Sequence, residues 1–280
     1  MVVRGGRGVF GFVGLMTPWA DRSFLRDVQY RTDANLAARQ SIYAYQQPPV
    51  DLVGHVLDLA LLAGGPGAGV VADIGCGNGV YLAELARRGY PGRLIGADLS
   101  PGMLDAVRQR ADEAGRGAPG LFAADAAALP LRDESADLTL AMHMLYHVPE
   151  PELAIGELRR ITRGRLVVGL NGTDHHREMR ELITAALASL GLGAVPLVSD
   201  RFGMDQGEIA LRRVFASVTR YDFRGRLVLP GPEPVAAYVR SMSVTAHVPD
   251  PEALVRAVTS RIPSGQPFED TTDSGCLICA

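Results

Sequence analysis

The nine residues VADIGCGNG, at positions 71–79, constrain the fold more than any other part of the chain. A short apolar run holds one acid and leads into three glycines at alternate positions, and a helical pattern, YLAELARR, follows. A strand, a glycine loop and a helix in this order hold a nucleotide-containing cofactor at the carboxyl end of a parallel strand. The segment therefore predicts an α/β fold, and two cofactor classes remain open.

The residues that follow extend this pattern. Apolar runs such as RLIGAD, LFAAD, ADLTLAM and RLVVGL alternate with helical segments between residues 70 and 170. Uninterrupted apolar strands that alternate with helices specify a parallel sheet covered on both faces, which is a doubly wound, Rossmann-like α/β fold. Later, the segment FASVTRYDFRGRLVLP predicts a strand pair or a strand and a turn, and GCLICA predicts a closing strand.

The same pattern divides the chain into four segments with no internal repeat. We expect a disordered extension over residues 1–16, a helical N-terminal lid over 17–63, a cofactor-binding core over 64–172, and cap segments with the closing strands over 173–280. A chain of 280 residues with 47% hydrophobic residues supplies a full core, so we expect the last three segments to form one domain.

Composition bears on partners and on location. The 28 basic and 31 acidic residues are interspersed and leave a net charge of −3, so there is no general attraction to nucleic acid or to an anionic membrane. No apolar run is long enough to cross a bilayer. Three cysteines are too few for a disulfide framework and favour a cytoplasmic protein. Cys276 and Cys279 have metal-ligand spacing, but positions three apart in a strand point to opposite faces.

The glycine loop departs from the dinucleotide fingerprint. That fingerprint needs a third glycine at position 80, where this chain has Val80. Asp73 also lies two residues before the first glycine, where a carboxylate would repel a pyrophosphate and attract an ammonium group. The loop with Gly75 and Gly77 therefore favours an amino-acid-containing cofactor over NAD.

The ends of the next two strands carry further acids. Asp98 is placed to accept hydrogen bonds from both hydroxyls of a ribose, and Ser100 caps the following helix with Pro101 at its first position. Leu99 and Met103 are expected to flank a flat ring.

After the third strand, Asp125 could accept a hydrogen bond from an adenine amine while the Ala126 backbone N–H donates to a ring nitrogen. The alternative for each acid is an ordinary turn or cap residue. Together the three acids match the donors of S-adenosylmethionine.

In these residues the chain resembles the class I S-adenosylmethionine-dependent methyltransferases, specifically the methyltransferase type 11 group that includes ubiquinone and menaquinone methylases. DIGCGNG, ADLSPGML, ADAAALPL and DLTLAMHMLYHVPE look like that family's first four motifs. The resemblance implies a seven-stranded sheet, parallel with one antiparallel strand near the C-terminus. It also implies that His143 lies beside the cofactor and the substrate, and that an N-terminal helix covers the cofactor. Tyr30 and Arg39 are candidates for that cover, Arg39 through the cofactor carboxylate, unless they belong to a solvated helix face.

Methyl transfer needs alignment of a nucleophile and exclusion of water, and an acceptor with a tightly held proton also needs a general base. Candidates for that base follow the fourth and fifth strands: His143, Tyr146, His147, His175 and His176. We expect no metal, because the His143 and His147 spacing falls on a strand end rather than on a helix.

Aromatic residues in the variable segments favour a small organic acceptor of specialised metabolism. RNA methylation, or a non-catalytic protein that binds the cofactor or a partner, remains the alternative. The predicted assembly is a monomer or homodimer, without nucleic acid or membrane as a partner.

Overall fold

The computed structural model describes residues 20–62, 67–115, 117–193, 201–263 and 265–280. The predicted disordered extension over residues 1–16 lies outside the described residues.

One sheet of eight strands, in the order β1-β7-β8-β6-β5-β2-β3-β4, organises the described residues. The strands are β1 (Gln46–Gln47), β2 (Val70–Ile74), β3 (Arg93–Asp98), β4 (Gly120–Ala123), β5 (Ala136–Met142), β6 (Thr162–Asn171), β7 (Val218–Leu229) and β8 (Phe268–Cys279). The pairs joining β6, β5, β2, β3 and β4 are all parallel. β8 is antiparallel to both β6 and β7. The predicted Rossmann-like fold is therefore confirmed, and the structure adds a two-residue strand, β1, at the edge.

Helices cover the sheet. They are α1 (Arg22–Phe24), α2 (Ala34–Ser41), α3 (Leu52–Leu61), α4 (Val80–Arg87), α5 (Pro101–Glu113), α6 (Pro151–Ile161), α7 (Arg177–Ser189), α8 (Met204–Leu211), α9 (Pro232–Arg240) and α10 (Pro251–Thr259). The predicted start of α5 is confirmed, because the Ser100 side chain accepts from the Met103 N–H and Pro101 occupies the first turn. Among the described residues, none of the helices has the length and apolarity to cross a bilayer.

The segment predicted as a strand pair, or a strand and a turn, is instead the single strand β7. It pairs with β8 from Val218 to Leu229 without a break. The difference lies at Gly225, a residue type that is frequent in turns but here continues the strand. A Cβ at this position would lie 3.1 Å from Gln46 Nε2 and 3.1 Å from Thr272 Oγ1, so glycine permits the close approach of β1 and β8.

Apolar side chains pack on both faces of the sheet. Cys276 packs with Leu140 and Val167 on one face, and Cys279 packs with Leu166 and other residues on the opposite face. The prediction that these two cysteines point to opposite faces is therefore confirmed. Both are fully buried free thiols whose pKa burial raises to about 12.

A separate apolar cluster lies beyond the cofactor half of the sheet. Its members come from α7, α9 and α10 and from the far end of β7, including Ile183, Leu227, Val239 and Leu254. Because β7 and β8 pass from the central sheet into this cluster, the C-terminal helices are attached to the edge of the same sheet.

Candidate active site

The glycine loop after β2 turns sharply at the centre of the sheet. Gly75, Gly77 and Gly79 all have left-handed φ values, of 68°, 53° and 75°. The backbone N–H groups of Gly75 and Cys76 both donate to Ala97 O, at 2.8 and 3.0 Å. This conformation costs little for glycine, and the loop is held against the end of β3.

Asp98, the last residue of β3, holds the far side of the loop. Its Oδ2 accepts from the Gly77 N–H and its Oδ1 from the Ser100 N–H, each at 2.9 Å. Burial raises the pKa of this carboxyl group, and the backbone donors oppose that rise by favouring the charged form. Each oxygen retains lone-pair capacity toward the cavity above the strand ends.

Asp73 is the most unusual group in the site. Its residue is 1% exposed, and neither carboxylate oxygen has a hydrogen-bond partner among the described residues. Desolvation, with the negative charge of Asp98 nearby, raises the pKa of Asp73 to about 8. A buried carboxyl group without partners is costly, so this position suits a cationic donor that none of the described residues supplies.

Asp125 follows β4 on the other side of the site. Its Oδ1 accepts from the Ala127 N–H at 2.9 Å, and its Oδ2 forms an ion pair with Arg22 Nη2 at 2.7 Å. Arg22 comes from α1 in the lid segment, which the sequence analysis did not single out. The carboxylate therefore joins the lid to the core, and an incoming amine would share or replace the arginine.

A single cavity above the strand ends brings all of these groups together. Every predicted cofactor residue lines it: Arg39, Asp73, Gly75, Gly77, Asp98, Leu99, Met103, Asp125, Ala126 and His143. The predicted catalytic candidates Tyr146 and His147 line it too, as do Arg22, Tyr30 and Leu36 from the lid. Their proximity is a structural fact, and the role of each residue remains a prediction.

Comparison with known proteins now adds to the geometry. Residues 72–168 match a family model described as a methyltransferase domain. The chain is 33% identical over 207 residues to the malonyl-[acyl-carrier protein] O-methyltransferase of Geobacter sulfurreducens. The aligned region covers 72% of this chain and 73% of the relative. This chain belongs to the S-adenosylmethionine-dependent methyltransferases. The family predicted from the motifs is thereby confirmed, and S-adenosylmethionine is its cofactor.

Two further comparisons define how far the similarity extends. The chain is 34% identical over 98 residues to the tRNA (carboxymethyluridine(34)-5-O)-methyltransferase of Macaca fascicularis, and the aligned region covers 35% of this chain. It spans only 13% of the length of that relative, and 28% of another curated relative that it matches. The solved structure of magnesium protoporphyrin IX methyltransferase from Synechocystis has a TM-score of 0.56, 16% identity, and coverage of 92% of this chain and 98% of its own. At that identity the likeness shows the methyltransferase fold alone.

The lid of this methyltransferase is fastened over the cavity by a directed chain of hydrogen bonds. Arg39 Nη2 donates to Tyr30 Oη at 2.9 Å, and the Tyr30 hydroxyl lies 2.9 Å from His147 Nε2. Because an arginine can only donate, the Tyr30 O–H is free to donate to His147. Ser100 Oγ also donates to Tyr30 O at 2.7 Å. Tyr30 thus connects the lid to the ends of both β3 and β5.

Replacing Tyr30 with Phe is expected to loosen this lid. The variant loses the hydroxyl that joins Arg39 to His147, and one such hydrogen bond is worth about 0.5–1.5 kcal/mol. We expect S-adenosylhomocysteine to dissociate about 3- to 10-fold faster, measured by stopped-flow displacement. Tyr90→Phe is the control, because that hydroxyl donates to Gly69 O away from the cavity. Equal dissociation rates in the two variants would contradict this role.

The three predicted catalytic residues differ in what they can do. His143 follows β5 with a left-handed φ of 55°, and its N–H donates to Gly169 O at 2.9 Å. Burial lowers the pKa of His143 to about 4, so its ring is neutral and holds a proton weakly. Burial raises the pKa of Tyr146, which keeps this phenol protonated as a hydrogen-bond donor. His147 contacts Tyr30 and belongs to the lid fastening.

Histidines 175 and 176, the remaining candidates, lie together beyond the end of β6. Their rings are 4.1 Å apart, and Tyr43 Oη lies 3.0 Å from His175 Nε2 and 3.3 Å from His176 Nε2. His176 Nδ1 is 2.6 Å from Asp270 Oδ2. The sequence analysis missed Tyr43 and Asp270 as partners, because they lie about 130 residues before and 94 residues after His176.

Proposed function

We propose that this chain transfers the methyl group of S-adenosylmethionine to a small organic acceptor in the cavity above the strand ends. The observation that carries the proposal is the buried, unpartnered carboxyl group of Asp73 beside Asp98. S-adenosylmethionine has an ammonium group for Asp73 and a ribose diol for Asp98, whereas the pyrophosphate of NAD offers no cation to Asp73.

The other cavity residues fit the rest of this cofactor. Leu99 and Met103 present apolar surface for the adenine faces, and Asp125 with the Ala126 N–H supplies an acceptor and a donor for its edge. Arg39 lines the cavity, and its two hydrogen-bond partners in the described part of the chain, Ser241 O and Tyr30 Oη, are neutral oxygens. Its positive charge is therefore available to the cofactor carboxylate.

When bound, S-adenosylmethionine supplies a methyl group already activated by a sulfonium. The protein then has to align the acceptor and exclude water. Alignment of this kind lowers a barrier by on the order of 7–11 kcal/mol. The lid residues Arg22 and Tyr30, bonded to Asp125 and His147, enclose the cavity. Half-buried Tyr146 can orient an acceptor by donating a hydrogen bond.

Two relatives support a small organic acceptor. One is named for methylation of malonyl-[acyl-carrier protein] and the other for methylation of magnesium protoporphyrin IX. The aromatic side chains of Tyr30 and Tyr146 line the cavity and suit a partly apolar molecule. We place the reaction in specialised metabolism and the protein in the cytoplasm as a monomer or homodimer, which size-exclusion chromatography and fractionation would test.

RNA methylation is the second candidate, because the chain matches a tRNA methyltransferase over 98 residues. The interspersed charges and the net charge of −3 oppose a large phosphate-binding surface. Filter binding of bulk tRNA at rising salt distinguishes the two functions. Binding that is lost steeply with salt, together with methyl incorporation into tRNA, would favour RNA as the acceptor.

The first experiment is calorimetric titration of the protein with S-adenosylmethionine, S-adenosylhomocysteine and NAD. We expect Kd values in the micromolar range for the two adenosyl ligands and no heat with NAD. A panel of phenols, carboxylic acids and amines with tritiated S-adenosylmethionine then reports transfer. Binding of NAD alone would contradict the cofactor assignment, and cofactor binding without transfer to any acceptor would favour a non-catalytic protein.

A further inference from the structure

A cluster of polar side chains lies where β6 ends and β8 begins. It consists of Tyr43, His175, His176 and Asp270, and we call it the histidine relay. Both histidines are 5% exposed and Asp270 is 1% exposed. Tyr43 comes from the turn Ile42–Tyr45, and its hydroxyl lies between the rings of His175 and His176. Unlike the two histidines, Tyr43 is only half-buried. The relay is therefore a buried polar network, and Tyr43 is its least buried member.

The hydrogen bonds of the relay have a single consistent direction. The Asp273 backbone N–H donates to His175 Nδ1 at 3.1 Å, so the proton of neutral His175 is on Nε2. That Nε2–H then donates to Tyr43 Oη at 3.0 Å. Tyr43 in turn has its own O–H to donate, and the remaining nitrogen in reach is His176 Nε2 at 3.3 Å.

The far end of the relay is anchored by a carboxylate. Asp270 Oδ1 accepts from the Met179 N–H at 3.0 Å, and Asp270 Oδ2 accepts from His176 Nδ1–H at 2.6 Å. This contact fixes the proton of neutral His176 on Nδ1 and leaves the lone pair of Nε2 toward Tyr43. A histidine held by a buried carboxylate on one nitrogen, with the other nitrogen open to a hydroxyl, is arranged to accept a proton.

The relay is electrostatically coupled to the walls of the cofactor cavity. Burial lowers the pKa of His175, and the neighbouring His176 and His143 add to that shift. Burial raises the pKa of Tyr43, and Tyr238 and Tyr146 add to it. Both His143 and Tyr146 line the cofactor cavity. Tyr43 also lies one helical turn after Arg39 and Gln40, which line the cavity, so the three side chains share the helix face that borders it.

We propose that Tyr43, backed by His176 and Asp270, is the proton acceptor for a methyl acceptor that carries a hydroxyl group. This inference rests on the proposed function and narrows its substrate class. As the hydroxyl oxygen forms its bond to the methyl carbon, the carbon–sulfur bond breaks and its electron pair remains on sulfur. The hydroxyl proton passes to Tyr43 Oη while the Tyr43 proton passes to His176 Nε2, and Asp270 stabilises the imidazolium.

A hydroxyl acceptor is the class that uses such a relay. A carboxylate acceptor is already ionised and needs no base, whereas a phenol or alcohol must lose its proton as the bond forms. Tyr43 Oη accepts one hydrogen bond from His175 and retains a second lone pair for the acceptor. His143 lacks a carboxylate partner among the described residues, so the relay is the better supported proton acceptor.

Nitrogen-15 NMR of histidine-labelled protein tests the relay without any turnover. At pH 7 we expect His175 to carry its proton on Nε2 and His176 to carry a proton on Nδ1. In Asp270→Asn the amide can donate to Nδ1, which would move the His176 proton to Nε2. A wild-type His176 protonated on Nε2, or on both nitrogens, would overturn the proposal. His247→Gln, an exposed histidine, assists assignment and should leave both signals unchanged.

Kinetics with the acceptor panel tests the substrate class. For hydroxyl acceptors we expect Tyr43→Phe and His176→Gln to lower kcat about 10²- to 10⁴-fold, with KM and the Kd of S-adenosylhomocysteine within about 3-fold. Tyr45→Phe, two residues away and exposed, should match the wild type. Turnover of carboxylates alone, or a change in KM without a change in kcat, would overturn the relay. Absence of all turnover would count against the proposed function, and the His176 tautomer would still decide the relay.

Discussion

Asp73→Asn is expected to weaken the binding of S-adenosylmethionine about 10- to 150-fold at pH 8 while stabilising the ligand-free protein. The carboxyl group is buried without partners, and a charge-assisted contact to the cofactor ammonium is worth about 1.5–3 kcal/mol. Asparagine retains the shape of the side chain and removes the charge. Calorimetric titration of wild type and variant at pH 6, 7 and 8 measures the loss.

The change in stability follows from proton linkage. The pKa of Asp73 is about 8 in the folded protein and about 3.9 in an unfolded chain, so between these values only the folded state holds the proton. This contribution to wild-type stability is complete below about pH 4 and is lost as pH rises through about 8. The stability advantage of Asp73→Asn should therefore grow by about 1.4 kcal/mol per pH unit between pH 5 and 8.

Urea unfolding of both proteins at several pH values provides this measurement. Asp105→Asn is the matched control, because Asp105 is exposed on α5 and pairs with Arg108. A constant difference between the unfolding free energies of Asp73→Asn and wild type from pH 5 to 8 would contradict a raised pKa. An unchanged affinity for the cofactor would remove Asp73 from the binding site.

Asp98→Asn is expected to weaken S-adenosylmethionine and S-adenosylhomocysteine equally, by at least about 100-fold. The wild-type carboxylate accepts from the Gly77 and Ser100 N–H groups and can also accept from two ribose hydroxyls. In the variant, an NH₂ group replaces one carboxylate oxygen and places a donor against a backbone N–H. The glycine loop or the following turn therefore loses a hydrogen bond, and the ribose diol loses an acceptor.

The rank order of the acids sharpens this test. Asp125→Asn should cost less than Asp98→Asn, about 10-fold, because Arg22 and the Ala127 N–H already engage its oxygens. Circular dichroism confirms that each variant is folded, and exposed Asp112→Asn serves as the control. A larger loss in Asp125→Asn than in Asp98→Asn would place the ribose elsewhere in the cavity.

The sequence allowed prediction of the sheet and of the cofactor cavity because their determinants are local. Asp73, Asp98 and Asp125 each stand at or just after the end of a parallel strand, and such ends meet at one edge of a sheet. The glycine spacing also reports a backbone conformation, so the left-handed loop could be expected from residues 75–79 alone.

The remaining features depend on partners that are distant in the chain. Arg22 reaches Asp125 across the cavity, and no periodicity connects the two residues. The relay needs Tyr43 and Asp270 beside His176. Their contact depends on how β8 and the turn before β1 pack against the rest of the sheet. The single strand β7 was missed because a glycine required for close strand packing looks the same in sequence as a glycine in a turn.

The shared strands β7 and β8 have a consequence for recombination between relatives. They carry Leu227 and Phe268 into the cluster of C-terminal helices, and Cys276 and Leu277 into the central sheet. A chimera joined after residue 172 would therefore exchange two of the eight strands, and three of the four relay residues, together with the acceptor walls. We therefore expect acceptor choice among related methyltransferases to change by point substitution within the cap segments more readily than by exchange of the whole region 173–280.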